Sequence, residues 1–403
     1  MARRVFPLIA SGLLMAVTMG TSTLGPGIVG RSQWALPQDY WGTLLAAVRL
    51  AHLDVAGLYT QPTGLVSLPG TAVILLPVAA VIALSGMSLA IPGAHNPHPG
   101  VWLAAGPYEV AISCVALFAA DALAERLDVS RGRRALLALA GGVALWNVAG
   151  RWGHPEDAVA TGLLMYAALA AHGRRVPAAG WLTGAAVCVQ PLVLLAVPVL
   201  AAVLPWRRVP AFLTRAALPS VAGFAAALAA NPSAAWSAVT SQPDSPVINH
   251  PTPWTSLAAH MAGGNVAAGP FRLTAVVVAC ACGLALHRRW RWPRDGDLPL
   301  AELLWWMALA LALRSFFEPV MVPYYLWPPL ALALIPAAAL SARRLIWASA
   351  VTAAVTGLAQ GPWRGVWLWW LPVIAGLILL LGLGVPDVSR IHRLPMTSRV
   401  AGG

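Results

Sequence analysis

The chain has 403 residues, of which 59% are hydrophobic and only 10% charged. Soluble domains carry about 25% charged residues, so an ordinary soluble globule is excluded: it could not hide this much apolar surface, whereas a bilayer can. The formal charge of +12 would suggest nucleic acid in a soluble protein, but here the basic residues sit in short blocks between apolar runs, which makes anionic lipid headgroups their neighbours and argues against a nucleic-acid partner.

The apolar runs are sized for a hydrocarbon core of about 30 Å, and they recur from end to end. The expectation is an all-α polytopic integral membrane protein with about twelve transmembrane helices. All 26 basic side chains are arginine, which reflects GC-rich coding rather than function. Cys114, Cys188, Cys280 and Cys282 all fall inside apolar runs, so no disulfide framework is expected.

In chain order, Arg3-Arg4 precede an apolar run that predicts an uncleaved first helix over 5–22 with a cytoplasmic N-terminus. A long first outer loop follows over 23–103. Within it, 39–53 reads as an interfacial helix with Tyr40, Trp41 and Leu44 meeting lipid. The stretch 68–92 is apolar enough to cross but is punctuated by Pro69, Pro77 and Pro92, and is assigned as re-entrant or interfacial. Further helices are predicted over 104–122, 135–150, 157–171, 177–190, 191–204 and 216–231. An outer loop covers 232–270. The last helices are 271–287, 298–315, 324–341, 345–360 and 365–385, and 386–403 is a cytoplasmic tail. The whole of 1–403 is one transmembrane domain.

Arginine tests this layout. Six arginines fall outside, namely Arg31, Arg49, Arg151, Arg272, Arg314 and Arg364, and the other 20 of the 26 fall inside. Letting 68–92 cross would invert every later loop and destroy the bias. The expected location is therefore the plasma membrane, multi-pass, with both termini cytoplasmic.

Ionisable residues are costly in a membrane and mark candidate sites. On this topology they gather on the outer side, at three stations and, more weakly, in the 232–270 loop, where Asp244, His250, Trp254 and His260 suit an ordered lid or an idle connector equally well. The first loop carries Gln38-Asp39-Tyr40-Trp41, Leu53-Asp54 and Gly57-Leu58-Tyr59-Thr60, then the Pro-punctuated hairpin. The second is Trp152-Gly153-His154-Pro155-Glu156-Asp157, entering a helix. There Pro and the acids suit a helix start on their own, and His154 with Glu156 or Asp157 facing the same cavity as Asp39 is the functional alternative. The third is Arg314-Ser315-Phe316-Phe317-Glu318, followed by Pro323-Tyr324-Tyr325. Arg314 and Glu318 could simply pair, with the tyrosines as belt residues, or Arg314 could take a phosphate beside a groove lined by Tyr324 and Tyr325.

A carboxylate soon after the first helix, a Gly-x-Tyr turn and a Pro-punctuated hairpin resemble the first outer loop of GT-C glycosyltransferases. The likeness is greatest to the polyprenyl-phosphate-sugar enzymes of glycosyltransferase family 87 and their mannosyltransferase-like relatives. The resemblance implies a GT-C-like fold and a hexosyl- or pentosyltransferase of the cell envelope. Its implied partners are a polyprenyl-phosphate sugar donor, a lipid or glycan acceptor and membrane lipids. Asp39, an Asp followed by an aromatic, matches the proposed catalytic base, and Asp54 is the alternative. The acidic helix start and the PYY-like junction extend the likeness. It implies substrate or phosphate contacts for His154, Glu156, Asp157, Arg314, Glu318, Tyr324 and Tyr325, with Arg49 or Arg151 as further cations. Gln190-Pro191 departs from the Lys-Pro often seen in related enzymes, which puts one phosphate-binding cation in doubt. No metal ligand set is assigned and no cofactor is required, although a divalent metal is compatible with the site.

The sequence has no P-loop and no Gly-rich dinucleotide turn, so a nucleotide-sugar donor is not favoured. Two alternatives remain open: a transporter or flippase of lipid-linked sugar, and a non-catalytic GT-C-like subunit.

Overall fold

The computed structural model describes residues 4–24, 33–60, 63, 65, 67–87, 89, 98–240, 243–246, 249–267, 269–290, 299–361 and 365–386. These residues are overwhelmingly helical because their backbone polar groups have no water to bond in a bilayer, and a helix satisfies them within one segment. Eight helical stretches among them are long and apolar enough to cross a membrane: Val5–Thr23, Pro99–Arg126, Arg131–Trp152, Trp206–Ala230, Gly269–Arg289, Leu300–Phe317, Pro323–Leu340 and Val366–Gly384. The chain is thus an all-α, multi-pass membrane protein.

We number the helices α1 (Val5–Thr23), α2 (Gln38–Ala51), α3 (Gly70–Ile74), α4 (Leu76–Leu84), α5 (Pro99–Ser113), α6 (Val115–Arg126), α7 (Arg131–Trp146), α8 (Pro155–His172) and α9 (Val176–Val189). The series continues with α10 (Val197–Ala202), α11 (Val209–Ala230), α12 (Pro232–Thr240), α13 (Gly269–Trp290), α14 (Leu300–Phe317), α15 (Trp327–Leu340), α16 (Ala342–Ala359) and α17 (Val366–Gly384). Five two-residue strands complete the set: β1 (Pro243–Asp244), β2 (His250–Pro251), β3 (Ala259–His260), β4 (Val266–Ala267) and β5 (Val320–Met321).

All twelve predicted spanning segments are helical. Four of them fall outside the eight long apolar stretches. Helices α8 and α16 are long enough but more polar, and Val176–Val189 and Pro191–Ala202 are shorter apolar helices. The bundle centre is rich in alanine among its leucines, and small residues let helices approach closely. Gly184 of α9 shows the reason: a Cβ there would sit 2.6 Å from the Arg215 carbonyl oxygen of α11. Lipid-sized side chains point outward, among them Leu8, Leu13, Leu273, Val277, Trp367 and Leu368.

Three expectations are corrected. The predicted helix over 216–231 begins earlier, at Val209 after a helical turn at Trp206–Arg208. Pro210 suits a helix start, and Arg215, read as a loop cation, instead donates to the Ala211 carbonyl one turn back at 2.8 Å. The interfacial helix exists as α2, but Tyr40, Trp41 and Leu44 do not meet lipid; they are 0%, 2% and 0% exposed. They face α4 and α5, and the Tyr40 hydroxyl donates to the Ala105 carbonyl at 2.9 Å. Glu109, which falls near the start of the helix predicted over 104–122, lies buried well inside the continuous stretch Pro99–Arg126.

The described part of the hairpin 68–92 forms two short helices that meet at Leu75. The nine residues of α4 rise about 14 Å, under half of the hydrocarbon thickness. The hairpin is held against the end of α9: the Thr71 hydroxyl donates to the Val189 carbonyl at 2.6 Å, and a Cβ on Gly70 would collide with the Cys188 carbonyl. Its neighbour Tyr108 donates to the Ile74 carbonyl at 2.7 Å. The tail over 387–403 lies outside the described residues.

The two ends of the bundle differ in chemistry. At one end Arg4 and Arg134 converge on Asp121, both at 2.7 Å, and Arg4 also meets Glu125 at 2.8 Å. Arg289 pairs with Glu302 at 2.7 Å, Arg133 donates to the Ala338 carbonyl at 2.6 Å, and Arg344 donates to the Val385 carbonyl at 2.9 Å. The other end carries the candidate site.

Candidate functional site

The site begins where α7 stops being a regular helix. Its last turn widens into a π-helical segment, Asn147–Trp152, and Gly153 follows in the left-handed region at φ 72°. Such widenings often mark functional positions. Gly153 is required twice over. Its φ disfavours a side chain, and a Cβ there would come within 2.5 Å of Pro37 and 2.7 Å of Tyr40 at the start of α2. This close approach brings the α2 N-terminus to His154.

His154 is buried, and both its ring nitrogens face carboxylates. Nδ1 lies 2.6 Å from Glu156 Oε1, and Nε2 lies 3.1 Å from Asp39 Oδ2. An imidazolium donates to both at once. Burial alone would lower the pKa of His154, but the charge of Glu156 and the hydrogen bonds and charge of Asp39 outweigh it and hold the group well above its ordinary value. In return, burial would raise the pKa of Asp39, yet the His154 hydrogen bond and charge prevail and hold it below the usual carboxylate range. The Asp39 side chain stays 57% exposed, so an ionised carboxylate faces outward from the cluster.

Pro155 opens α8, and Glu156 and Asp157 occupy its first turn, where the helix dipole favours negative charge. Asp157 Oδ1 accepts from Gln190 Nε2 at 3.1 Å. Gln190 is therefore part of the cluster, where it fixes a carboxylate and stands in the place a phosphate-binding cation was expected. Asp157 Oδ2 is buried with no hydrogen-bond partner and lies 4.0 Å from His154 Nδ1.

Aromatic rings lead on from there. Tyr324 stacks on His154 with centroids 3.8 Å apart, and Trp152 meets Tyr324 edge-on at 6.0 Å. Tyr325 stands perpendicular to Tyr324 at 5.0 Å, and the Arg314 guanidinium lies 3.5 Å from the Tyr325 ring centroid. Arg314 Nε is 3.5 Å from Glu318 Oε2, so the expected pair exists but is loose. Arg272 is the tighter partner, reaching Glu318 Oε1 at 2.7 Å and Asp244 Oδ2 at 3.1 Å.

Residues 243–246 and 249–267 are fastened over this side of the site. Strand β2 pairs with β5 in antiparallel register, His250 opposite Met321. The Thr252 hydroxyl donates to the Glu318 carbonyl at 2.7 Å, and the Trp254 indole donates to the Phe316 carbonyl at 2.6 Å. Asp244 is held between Arg272 and Glu318. Burial raises its pKa, Arg272 and Arg314 oppose that, Glu318 adds to it, and the net result is about 6.

Of the residues predicted from sequence, Asp39, His154, Glu156, Asp157, Arg314, Glu318, Tyr324 and Tyr325 meet at this end. Asp54 does not join them. It lies beyond the far end of α2, about 20 Å of helix rise from Asp39, and accepts from the Gly57 amide at 2.8 Å. Arg49 stays with it, donating to the Gly57 carbonyl at 2.8 Å. The sequence singles out Gln190 only as a departure from Lys-Pro, Asp244 only as part of the 232–270 loop and Arg272 only as an outer arginine. The only signal for Arg272 and Asp244 was their outer position, since the pairing joins residues far apart in the chain.

His154, Glu156 and Asp157 also stand out as a compact donor set whose candidate ligand atoms lie within 4.8 Å of one another. Compared with known proteins, the sequence matches no protein-family model, and no curated protein matches it.

Proposed function

We propose that this chain is a membrane glycosyltransferase that moves a sugar from a polyprenyl-phosphate donor to a lipid or glycan acceptor of the cell envelope. In this reading twelve helices cross the plasma membrane and both termini are cytoplasmic. Twenty of the 26 arginines lie inside, and the site opens on the outer face. The observation that carries the reading is the meeting of Asp39, His154 and the Arg314–Tyr324–Tyr325 group at one bundle end, from chain positions nearly 300 residues apart.

The chemistry assigns each group a task. Asp39, ionised and half exposed, takes the proton of the acceptor hydroxyl as its oxygen attacks the anomeric carbon. The bond from that carbon to the lipid phosphate breaks, and the phosphate leaves with the electron pair. Arg314, stacked on Tyr325, meets the charge on the leaving phosphate. His154 orients Asp39 and fixes the Tyr324 ring. Lipid-linked donors reach such a site from the membrane, where cytoplasmic nucleotide sugars do not.

The test is purified protein in lipid vesicles with defined polyprenyl-phosphate sugars, scored for transfer to added lipid or glycan acceptors. Transfer by the wild type and its loss in Asp39→Asn, with folding intact, is the expected result. Near-normal transfer by that variant would discard Asp39 as the base. A flippase reading has one observation in its favour, the buried Glu109 inside a spanning stretch. Movement of intact lipid-linked sugar across vesicles, with no transfer, would favour it.

A further inference from the structure

We infer that His154, Glu156 and Asp157 form a binding site for one divalent cation, with Asp39 orienting the histidine from behind. The inference concerns the same residues as the transfer reading but does not depend on it.

The argument starts from an oxygen without a partner. Asp157 has its side chain fully buried, Oδ1 tied to Gln190 and Oδ2 bonded to nothing. A buried carboxylate oxygen left unmatched is costly. Oδ2 faces His154 Nδ1 at 4.0 Å, with Glu156 Oε1 on the same nitrogen at 2.6 Å. Metal bonds to nitrogen and oxygen of about 2.0–2.2 Å put two ligand atoms at most about 4.4 Å apart. The Asp157–His154 spacing is already in that range, and the full set, within 4.8 Å, needs only small side-chain rotations.

The surroundings fit the same geometry. A metal-bound imidazole usually gives its other N–H to a carboxylate, which fixes its tautomer and orientation. Asp39 is that carboxylate, at Nε2. Tyr324 stacked on the ring fixes its plane, and Gln190 fixes the Asp157 carboxylate so that Oδ2 points inward. One imidazole and two carboxylates make a mixed nitrogen–oxygen donor set, which suits Zn²⁺ or Mn²⁺ better than a soft cation. Binding replaces the Nδ1 proton by the metal and releases it to solvent.

Mn²⁺ is the probe. Full-length protein in lipid nanodiscs is stripped with chelator, titrated with Mn²⁺ and read by electron paramagnetic resonance. The expected result is one saturable Mn²⁺ per chain, displaced by Zn²⁺, with nitrogen hyperfine coupling from a directly bound imidazole. Asp157→Asn should weaken binding about ten-fold or more, and His154→Ala should remove the nitrogen coupling. Absence of saturable binding, or Mn²⁺ bound by the wild type without nitrogen coupling, would overturn the site, and neither readout needs a variant that folds. Nitrogen-coupled Mn²⁺ in a protein that transfers no sugar would keep the site and discard the transferase reading.

Discussion

The two ends of the bundle both gather charged side chains, and they use them differently. At the arginine end Asp121, Glu125 and Glu302 each have a guanidinium at 2.7–2.8 Å, and surplus arginines close the carbonyls of helix ends. At the site end three carboxylates crowd one histidine, one oxygen is left unmatched, and Arg314 lies on a tyrosine face with its carboxylate partner 3.5 Å away. The first arrangement is complete in itself: it ties α1, α6 and α7 together. The second has binding capacity left over. Charge in a membrane protein points to a site where it is incompletely matched, and to architecture where it is saturated.

That contrast can be broken by substitution, and the largest effect on folding should come from the arginine end. Arg134→Ala takes the two-point partner from the buried Asp121 and leaves it Arg4 alone, so the loss approaches but does not exceed the about 3–5 kcal/mol that removing one partner of a buried pair costs. A large loss of thermal stability or of folded protein in detergent is expected. A stability equal to wild type would show that this end is not architectural. At the site end Asp39→Asn should be far milder in stability, because Asp39 is half exposed, solvent can replace its contact, and His154 keeps Glu156. Its cost should appear as lost transfer. Equal destabilisation by the two variants would erase the distinction between the ends.

Gly153→Ala is the next effect in size. Left-handed backbone costs a non-glycine residue about 1–3 kcal/mol, and the added Cβ meets Pro37 and Tyr40. The expected outcome is folded protein in which α2 is pushed from His154, read as faster hydrogen exchange in residues 38–44 than in α7. Unchanged exchange there would mean the approach is not set by this glycine.

The smallest effect is a pH dependence of segment 243–267. Asp244, facing Arg272, Glu318 and Arg314, titrates at about 6 when the segment is docked, against an ordinary value of 3.8. A raised pKa in the docked state means that docking is favoured by protonation. Its contribution is fully present below about pH 4 and is lost as pH rises through 6. Limited proteolysis of this segment should therefore be slower at pH 5 than at pH 8, and Asp244→Asn should flatten that difference. Faster cleavage at pH 5 would reverse the sign and refute the assignment.

The sequence made the helices and the two ends legible because length, apolarity and arginine position are local properties. It also named most of the cluster, since ionisable residues at helix ends stand out against an apolar background. Other features depend on partners that composition does not reveal. Tyr40, Trp41 and Leu44 read as lipid anchors because the same aromatic and aliphatic types serve a protein core. The π-helical segment before Gly153 leaves no mark on apolar spacing. The Arg272–Glu318–Asp244 group joins three distant stations, and Gln190 looked like a loss because its partner, Asp157, lies 33 residues earlier. Asp39 and Asp54 were both credible as the base from sequence, and only their separation along α2 distinguishes them.

That separation gives the most direct test of the claim that the His154 end is the site of sugar transfer. Asp39→Asn and Asp54→Asn are assayed side by side in reconstituted vesicles with a polyprenyl-phosphate sugar. The account predicts transfer reduced by about 10²–10⁴-fold for Asp39→Asn and near wild type for Asp54→Asn. Loss of transfer in Asp54→Asn with activity retained in Asp39→Asn would contradict it.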